Sequence, residues 1–112
     1  IRYSDVLLMA AQANNRKTGA DDAKAQNYLN QVRARAFGNA SQASTSTGAT
    51  LTQEIWDERR LEFAMEGHRF FDLVRTGEAA AKISGFVSGK HEVFPIPQTE
   101  IDISGLTQNP GY

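Results

Sequence analysis

The residues most suited to acid–base catalysis form a charged block at positions 57–66. Acidic and basic side chains are concentrated there on one predicted helix. Glu58, Glu62 and Glu66 recur every four residues, so their carboxylates follow one stripe of an α-helix. Glycoside hydrolases use a pair of carboxylates, and Glu58 or Glu62 would be the candidate general acid here. That reaction needs two groups facing each other across the sugar, an arrangement that neighbours on one helix rarely achieve. We therefore predict no catalytic residue in this chain.

The same block predicts a structural network of ion pairs. Like charges four residues apart on a helix repel by about 0.2–0.5 kcal/mol, so the glutamate stripe requires cations. Oppositely charged residues three positions apart are Arg59 with Glu62, Asp57 with Arg60, Glu66 with Arg69, Arg69 with Asp72, and Asp72 with Arg75. We expect Gly67 to turn the chain so that Arg69 and Arg75 approach the stripe. At least two of the three glutamates should then contact arginine or backbone N–H groups.

Apolar residues border this helix on two sides. One side carries Ile55, Trp56, Phe63 and Ala64, and another carries Leu61 and Met65. A helix with two apolar sides is predicted to be largely buried, and buried charges must be paired.

Other catalytic and metal-binding patterns are absent from the sequence. It has no cysteine, which excludes thiolate catalysis and cysteine-built zinc sites. His68 and His91 are the only imidazoles, and neither has partners at metal-ligand spacing, so no metal site is predicted. The sequence contains no nucleotide-binding glycine motif and no esterase nucleophile motif, and we predict no cofactor.

Four aromatic residues have the shape to stack on sugar rings if they are exposed: Tyr3, Tyr28, Trp56 and Tyr112. Tyr28 and Trp56 lie on apolar helix faces, which favours packing in the core. For Tyr112, both stacking on a sugar ring and packing in the core remain open. No residue is therefore assigned to sugar binding, and any glycan-binding residues stay unknown.

Length and charge narrow the class of protein. The 112 residues are enough for one small domain, and 40% of them are hydrophobic. The net charge of −1 lacks the basic excess with which proteins bind nucleic acid. No apolar run approaches the roughly 20 residues of a membrane helix. Because the helical pattern already begins at Ile1, we expect this chain to be a C-terminal piece of a longer protein.

The elements that position these residues are predicted to be helical. Residues 1–37 form an antiparallel helical hairpin ended by Gly38, and residues 38–50 form a flexible polar loop. Residues 51–84 hold further helices, the first running from Gln53 to Glu66. Its N-cap is predicted to be Thr52, with Leu51 and Trp56 as a hydrophobic staple.

An irregular packed tail is predicted for residues 85–112. The prolines at 95 and 97 impose an extended conformation on residues 94–97, with Phe94 and Ile96 expected in the core. One helical turn is predicted near residues 99–103, and Asn109-Pro110-Gly111 predicts a type II turn.

Five segments together resemble the SusD/RagB family. The longest is IWDERRLEFAMEGHRFFDLVR at residues 55–75, which is similar to the family's signature block. The others, in order, are RYSDVLLM at 2–9, LNQVRARA at 29–36, FPIP at 94–97 and QNPGY at 108–112. Matches in this order across the whole chain make the resemblance specific.

The resemblance implies a fold and a function. It implies an all-α fold of tetratricopeptide-like helix pairs with an irregular region laid over them. It also implies a surface-exposed lipoprotein of the bacterial outer membrane that is not an enzyme. Such a protein captures oligosaccharides or other nutrients for a SusC-like, TonB-dependent transporter. Two other readings remain open: a helical-repeat scaffold for protein–protein contact, and a glycosidase using Glu58 or Glu62.

Overall fold

The computed structural model describes residues 1–112 and contains six α-helices and no strand. They are α1 (Tyr3–Arg16), α2 (Asp22–Phe37), α3 (Gly48–Glu62), α4 (Arg69–Thr76), α5 (Ala79–Lys82) and α6 (Gln98–Ser104). The all-α class predicted from the sequence is confirmed. None of the helices has both the length and the apolarity needed to span a bilayer. The chain divides into two compact units, Ile1–Arg69 and Phe70–Tyr112.

Helices α1 and α2 form the predicted antiparallel hairpin of the first unit. Two fully buried alanines, Ala11 on α1 and Ala25 on α2, contribute side chains small enough for the helices to pack closely. Helix α3 packs against both, mainly against α1. The largest fully buried side chains of the resulting core are Leu8, Leu29, Leu51, Ile55 and Val32.

The ends of α2 follow from its sequence. Asp21 precedes the helix, and its carboxylate accepts a hydrogen bond from the Lys24 N–H at 3.0 Å, satisfying a donor in the first turn. Gly38 ends the helix in the left-handed conformation, with φ +71°, which a residue with a Cβ adopts at a cost. The predicted stop at Gly38 is confirmed.

Helix α3 begins earlier than the sequence predicts. Its N-cap is Thr47 rather than Thr52, and Leu51 lies fully buried inside the helix rather than in a staple before it. The reason is tertiary: the Asp22 carboxylate accepts the Gly48 N–H at 2.7 Å, and the Asn15 amide donates to the Gly48 carbonyl at 3.1 Å. These two contacts fix a helix start that local sequence does not encode.

The predicted end of α3 at Glu66 is also wrong, because the helix ends at Glu62. Phe63 is its C-cap, and Met65 adopts a left-handed conformation with φ +68°. The chain therefore leaves the helix before Gly67.

Replacing Asp22 with alanine should loosen the start of α3. The hydrogen bond from Gly48, followed by that from Asn15, holds the pKa of the Asp22 carboxyl below its ordinary value. The contact is therefore present above the ordinary carboxyl pKa and is lost as the pH falls through the lowered value. Hydrogen–deuterium exchange should be faster at residues 48–52 in Asp22→Ala. The control Asp21→Ala should speed exchange at Lys24 instead, and unchanged exchange at 48–52 would refute this helix start.

The polar segment between α2 and α3 lies along α2. The Asn30 amide donates to the Ser44 carbonyl at 3.0 Å and accepts the Ser44 N–H at 2.6 Å. The Gln26 amide donates to the Ser46 carbonyl at 2.8 Å. These contacts explain why Ser44 is buried in a segment rich in small polar residues. Since α3 begins at Gly48, the loop is shorter than the predicted span of residues 38–50.

The second unit contains α5, α6, most of α4 and the irregular tail. The Phe70 ring contacts three others in this unit, with its centroid 5.6 Å from that of Phe71, 6.5 Å from that of Phe86 and 6.0 Å from that of Phe94. Few residues of this unit are buried: they are Asp72, Leu73 and Ala79.

The tail agrees with the sequence in backbone conformation and differs in burial. Residues 94–97 are non-helical, and the Gln108 amide bonds both the N–H and the carbonyl of Ile96, at 2.8 and 2.9 Å. Ile96 is half-buried, but Phe94 is 66% exposed, so its predicted place in the core is wrong. The turn at Asn109–Tyr112 is confirmed by the hydrogen bond between its end residues and by φ +86° at Gly111.

Candidate functional site

The three glutamates of the charged block are all paired with arginines. Glu58 accepts from the Arg33 Nε at 2.9 Å, and the same guanidinium reaches Glu54 at 3.1 Å. Glu58 is buried, and Arg33 lies on α2. This contact therefore joins α2 to α3, and the predicted pairing of at least two glutamates with arginine is confirmed.

Glu62 and Glu66 bind Arg2, which stands just before α1. Arg2 donates from Nη1 to Glu62 Oε1 at 3.0 Å and from Nη2 to the Glu62 carbonyl at 2.7 Å. Its Nη2 and Nε also reach the two carboxylate oxygens of Glu66, at 2.8 and 3.2 Å. Arg35 on α2 bonds the same oxygen of Glu62. Glu62 is thus a junction between the start of α1 and the end of α2.

The ion pair between Arg59 and Asp5 is the most deeply buried of these contacts. Arg59 Nη1 donates to Asp5 Oδ1 at 2.8 Å, and the two side chains are 7% and 10% exposed. The Phe63 ring receives two guanidiniums, those of Arg2 and Arg59, each 5.0 Å from its centroid. This pair connects α1 to α3 and adds cation–π attraction to the salt bridge.

The cations that reach the stripe are therefore not those expected. Arg2, Arg33 and Arg35 supply the charge from the hairpin, 25 to 64 residues away in sequence. The expectation that Arg69 supplies it is wrong, whereas the predicted pair of Asp72 with Arg75 is present at 2.7 Å. Pairing charges that are three or four residues apart in sequence identifies only partners on the same helix, so it misses arginines from other helices.

Part of this helix faces solvent. Leu61 and Met65 are exposed, so the expectation that both apolar sides are buried is wrong within this structure. On the other side, Ile55 and Phe63 are buried as expected, but Ala64 is exposed and Trp56 is half-buried, with the Arg16 guanidinium 5.7 Å from its ring.

The electrostatics of Glu62 oppose a role as a general acid. Burial raises its pKa, but the hydrogen bond and the charge of Arg35, together with the hydrogen bond from Arg2, outweigh burial and hold the pKa below its ordinary value. A glycosidase acid needs a raised pKa to remain protonated near neutral pH. Glu58 is bonded to Arg33. Neither carboxylate has the environment of a catalytic acid.

Glu62 also gives a pH prediction. Because its pKa is lowered in the folded state, its contribution to stability is present above the unfolded carboxyl pKa of about 4.3 and is lost as the pH falls through the folded value. We expect Glu62→Gln to be less stable at pH 7 and to lose less further stability on acidification. Urea unfolding at pH 7, 5 and 3 checks this. Parallel pH profiles for the two proteins would contradict it.

The remaining candidates contribute packing contacts in this structure. The His68 ring contacts the Phe63 ring at a tilt of 45°, with centroids 5.2 Å apart, and His91 Nδ1 accepts the Val87 N–H at 2.9 Å. No cluster of three acidic or histidine side chains is arranged to hold a metal ion.

Of the four aromatic candidates from the sequence, Tyr3 and Tyr112 are exposed enough for stacking. Tyr3 is largely exposed at the start of α1, and Tyr112 lines a cleft of about 340 Å³ in the second unit. The Lys90 ammonium lies 4.6 Å from the Tyr112 ring centroid. Tyr28 packs partly buried against the core, as predicted.

Comparison with known proteins shows which protein family this chain belongs to. The model of the SusD family matches residues 1–93. SusD-like protein P25 of Formosa agariphila is 40% identical over 78 residues, covering 68% of this chain and 14% of that protein. SusD-like protein P2 of the same organism is 32% identical over 128 aligned positions, covering 100% of this chain and 25% of that protein. The chain thus spans a quarter or less of the length of these relatives. It belongs to the SusD family.

Proposed function

We propose that the protein is a nutrient-binding component of an outer-membrane uptake system, with oligosaccharides as its ligands. The observation that carries the proposal is the family match across residues 1–93, which includes the whole charged block. The partner proposed is a SusC-like, TonB-dependent transporter, and the location is the outer surface of the outer membrane, through a lipid anchor. No cofactor takes part.

In this proposal, the charged block holds the structure together and does not touch the ligand. Arg33, Arg35 and Arg2 occupy the carboxylates of Glu58, Glu62 and Glu66. A carboxylate already bonded to arginine has less capacity left to accept hydrogen bonds from sugar hydroxyls. Ligand contacts are therefore assigned to residues outside the block.

Affinity gel electrophoresis of the complete polypeptide tests the proposal. Native gels cast with starch, xylan, pectin or laminarin should retard the protein in at least one case, and calorimetry with the matching oligosaccharide should give saturable binding. Serum albumin run in the same gels controls for sieving. Free migration in every gel, with no calorimetric signal, would contradict glycan binding.

A scaffold role in protein–protein contact is the second candidate, and the apolar residues exposed on α1 favour it. Tyr3, Val6 and Met9 all face solvent in this structure. The two candidates separate on one comparison. A scaffold should bind a partner protein with the same affinity whether or not oligosaccharide is present, and should itself bind none.

Hydrolysis is the activity that this proposal excludes. Prolonged incubation with any bound glycan should release no new reducing ends. If reducing ends appear, and Glu58→Gln or Glu62→Gln abolishes them in a folded protein, the glycosidase reading replaces this one.

A further inference from the structure

The second unit contains a cleft of about 340 Å³ that is rich in aromatic rings. Its lining includes Phe70, Phe86, His91, Phe94 and Tyr112. The centroids of Phe70 and Phe94 are 6.0 Å apart at 36°, and those of Phe86 and His91 are 5.7 Å apart at 78°, within the range that aromatic pairs prefer. Small-molecule sites have volumes of about 300–1,000 Å³, so this cleft suits a ligand built on a single ring.

Hydrogen bonds between two parts of the tail hold one wall of the cleft in place. The Tyr112 hydroxyl donates to the Val93 carbonyl at 3.0 Å, and the Asn109 amide donates to the Phe94 carbonyl at 2.6 Å. Val93, Phe94 and Tyr112 all line the cleft. Because this wall is already formed, a ligand would lose little of its binding energy in ordering it.

The polar groups around the cleft favour a ligand with a negatively charged acceptor. His91 Nδ1 accepts the Val87 N–H at 2.9 Å, so neutral His91 carries its proton on Nε2, which is then a hydrogen-bond donor. The Lys90 ammonium lies 4.6 Å from the centroid of the Tyr112 ring and forms no salt bridge in this structure. A cation and an N–H donor beside aromatic rings are complementary to a carboxylate carried on a ring.

The Lys90 side chain is held beside this wall by the turn at Gly111. A Cβ at Gly111 would lie 3.1 Å from Lys90 Cγ and Cδ, so the backbone of the turn packs directly against the lysine stem. The stem is thus fixed by packing while the ammonium rests on the Tyr112 ring. The charge is therefore positioned before any ligand arrives.

An aromatic ring fits this lining better than a sugar ring does. A sugar carries several hydroxyl groups, and each of them needs a hydrogen-bond partner when it leaves water. Among the lining side chains only Ser84, His91 and Tyr112 have polar atoms, and the Tyr112 hydroxyl already donates to Val93. The faces of an aromatic ring need no such partners and can pack on the phenylalanines.

We propose that this cleft binds a small aromatic carboxylate. Its ring packs against Phe70, Phe86 and Phe94, and its carboxylate is bound by His91 and Lys90. This ligand belongs to a different chemical class from the oligosaccharides of the proposed function, so the site is an additional one.

An NMR titration of the complete polypeptide with benzoate tests the proposal. We expect saturable binding with a Kd of about 1 mM, as is usual for a ligand of this size. Benzyl alcohol, which keeps the ring and lacks the charge, should bind about fivefold more weakly, and glucose should not displace benzoate. Absence of saturable benzoate binding, equal binding of benzyl alcohol, or displacement by glucose would each overturn the proposal.

A lysine substitution tests the position of the carboxylate. Lys90→Met keeps the stem and removes the charge, so benzoate should bind about fivefold more weakly while benzyl alcohol binding stays unchanged. Lys82→Met is the matched control, because Lys82 is an exposed lysine of α5 that does not line the cleft. Equal benzoate affinity in the Lys90 and Lys82 variants would overturn the assignment of the carboxylate to Lys90.

A phenylalanine substitution tests the position of the ring. Phe94 is 66% exposed, so the fold should tolerate Phe94→Ala, whereas both benzoate and benzyl alcohol should lose affinity. Phe37→Ala, at an exposed phenylalanine of α2, should leave both affinities unchanged. Unchanged binding in Phe94→Ala would overturn the proposal. Oligosaccharide binding by these variants is measured separately, so the proposed function and this inference can fail independently.

Discussion

Replacing Arg59 with alanine is expected to lower the free energy of unfolding by about 3–5 kcal/mol, one of the two largest effects expected in this protein. The guanidinium donates to Asp5 at 2.8 Å with both side chains buried, and it lies 5.0 Å from the centroid of the Phe63 ring. Without it, a buried carboxylate loses its cation, and that desolvation penalty is no longer offset. Urea or guanidinium unfolding followed by circular dichroism measures the change.

The neighbouring arginine is the control. Arg60 is on the same helix and is exposed, so Arg60→Ala removes the same side chain and should change stability by less than about 0.5 kcal/mol. A cost below about 1 kcal/mol for Arg59→Ala would show that the Asp5–Arg59 pair does not hold α1 to α3.

Leu51→Ala is expected to cost about 2–5 kcal/mol. Leu51 is fully buried in the first turn of α3, in the same cluster as Leu8, Leu29 and Ile55. Truncation removes apolar contacts and leaves a cavity that close-packed neighbours fill only in part. The same unfolding experiment measures the loss.

Leu61 provides the comparison for this prediction. It is also a leucine of α3, but it is exposed, so Leu61→Ala should cost less than about 0.5 kcal/mol. If the two substitutions cost the same, the early start of α3 that buries Leu51 would be wrong. The staple assignment drawn from the sequence would then regain support.

The hairpin was predictable because its signals are local. Apolar residues at helical spacing mark α1 and α2, Asp21 caps α2, and Gly38 ends it with a positive φ. Each signal lies within a few residues of the feature it determines. The first two helices of the first unit followed from these signals alone.

The start of α3 was not predictable in the same way. Gly48, Ala49 and Thr50 continue a polar, small-residue segment that is typical of a loop. They become helical where Asp22 and Asn15, 26 and 33 residues earlier, bond the backbone of Gly48. Contacts at this separation carry no periodic signal in the sequence.

The partners of the charged block were missed for a similar reason. The sequence indicated that the glutamates need cations, and that requirement is met. It did not indicate which arginines meet it, since Arg2 and Arg33 are adjacent to Glu66 and Glu58 only after the hairpin packs on α3. Arg33 directly follows the buried Val32 in α2, and that position at the edge of the core was the available clue.

In the tail, backbone conformation was easier to predict than burial. Proline dictates extended neighbours, and Gly111 provides the positive φ of the turn, so both features appeared where expected. The exposure of Phe94 depends on what packs beside it, which no residue in the segment specifies.

The central claim is that the charged block joins helices rather than binding a ligand, and a double-mutant cycle on Arg33 and Glu58 tests it most directly. Their contact is 2.9 Å long, and the side chains are 18% and 9% exposed. Unfolding free energies of the parent protein, Arg33→Ala, Glu58→Ala and the double variant give the coupling between α2 and α3. We predict a coupling of about 1–3 kcal/mol. Single-variant losses that add to within about 0.5 kcal/mol would contradict the claim.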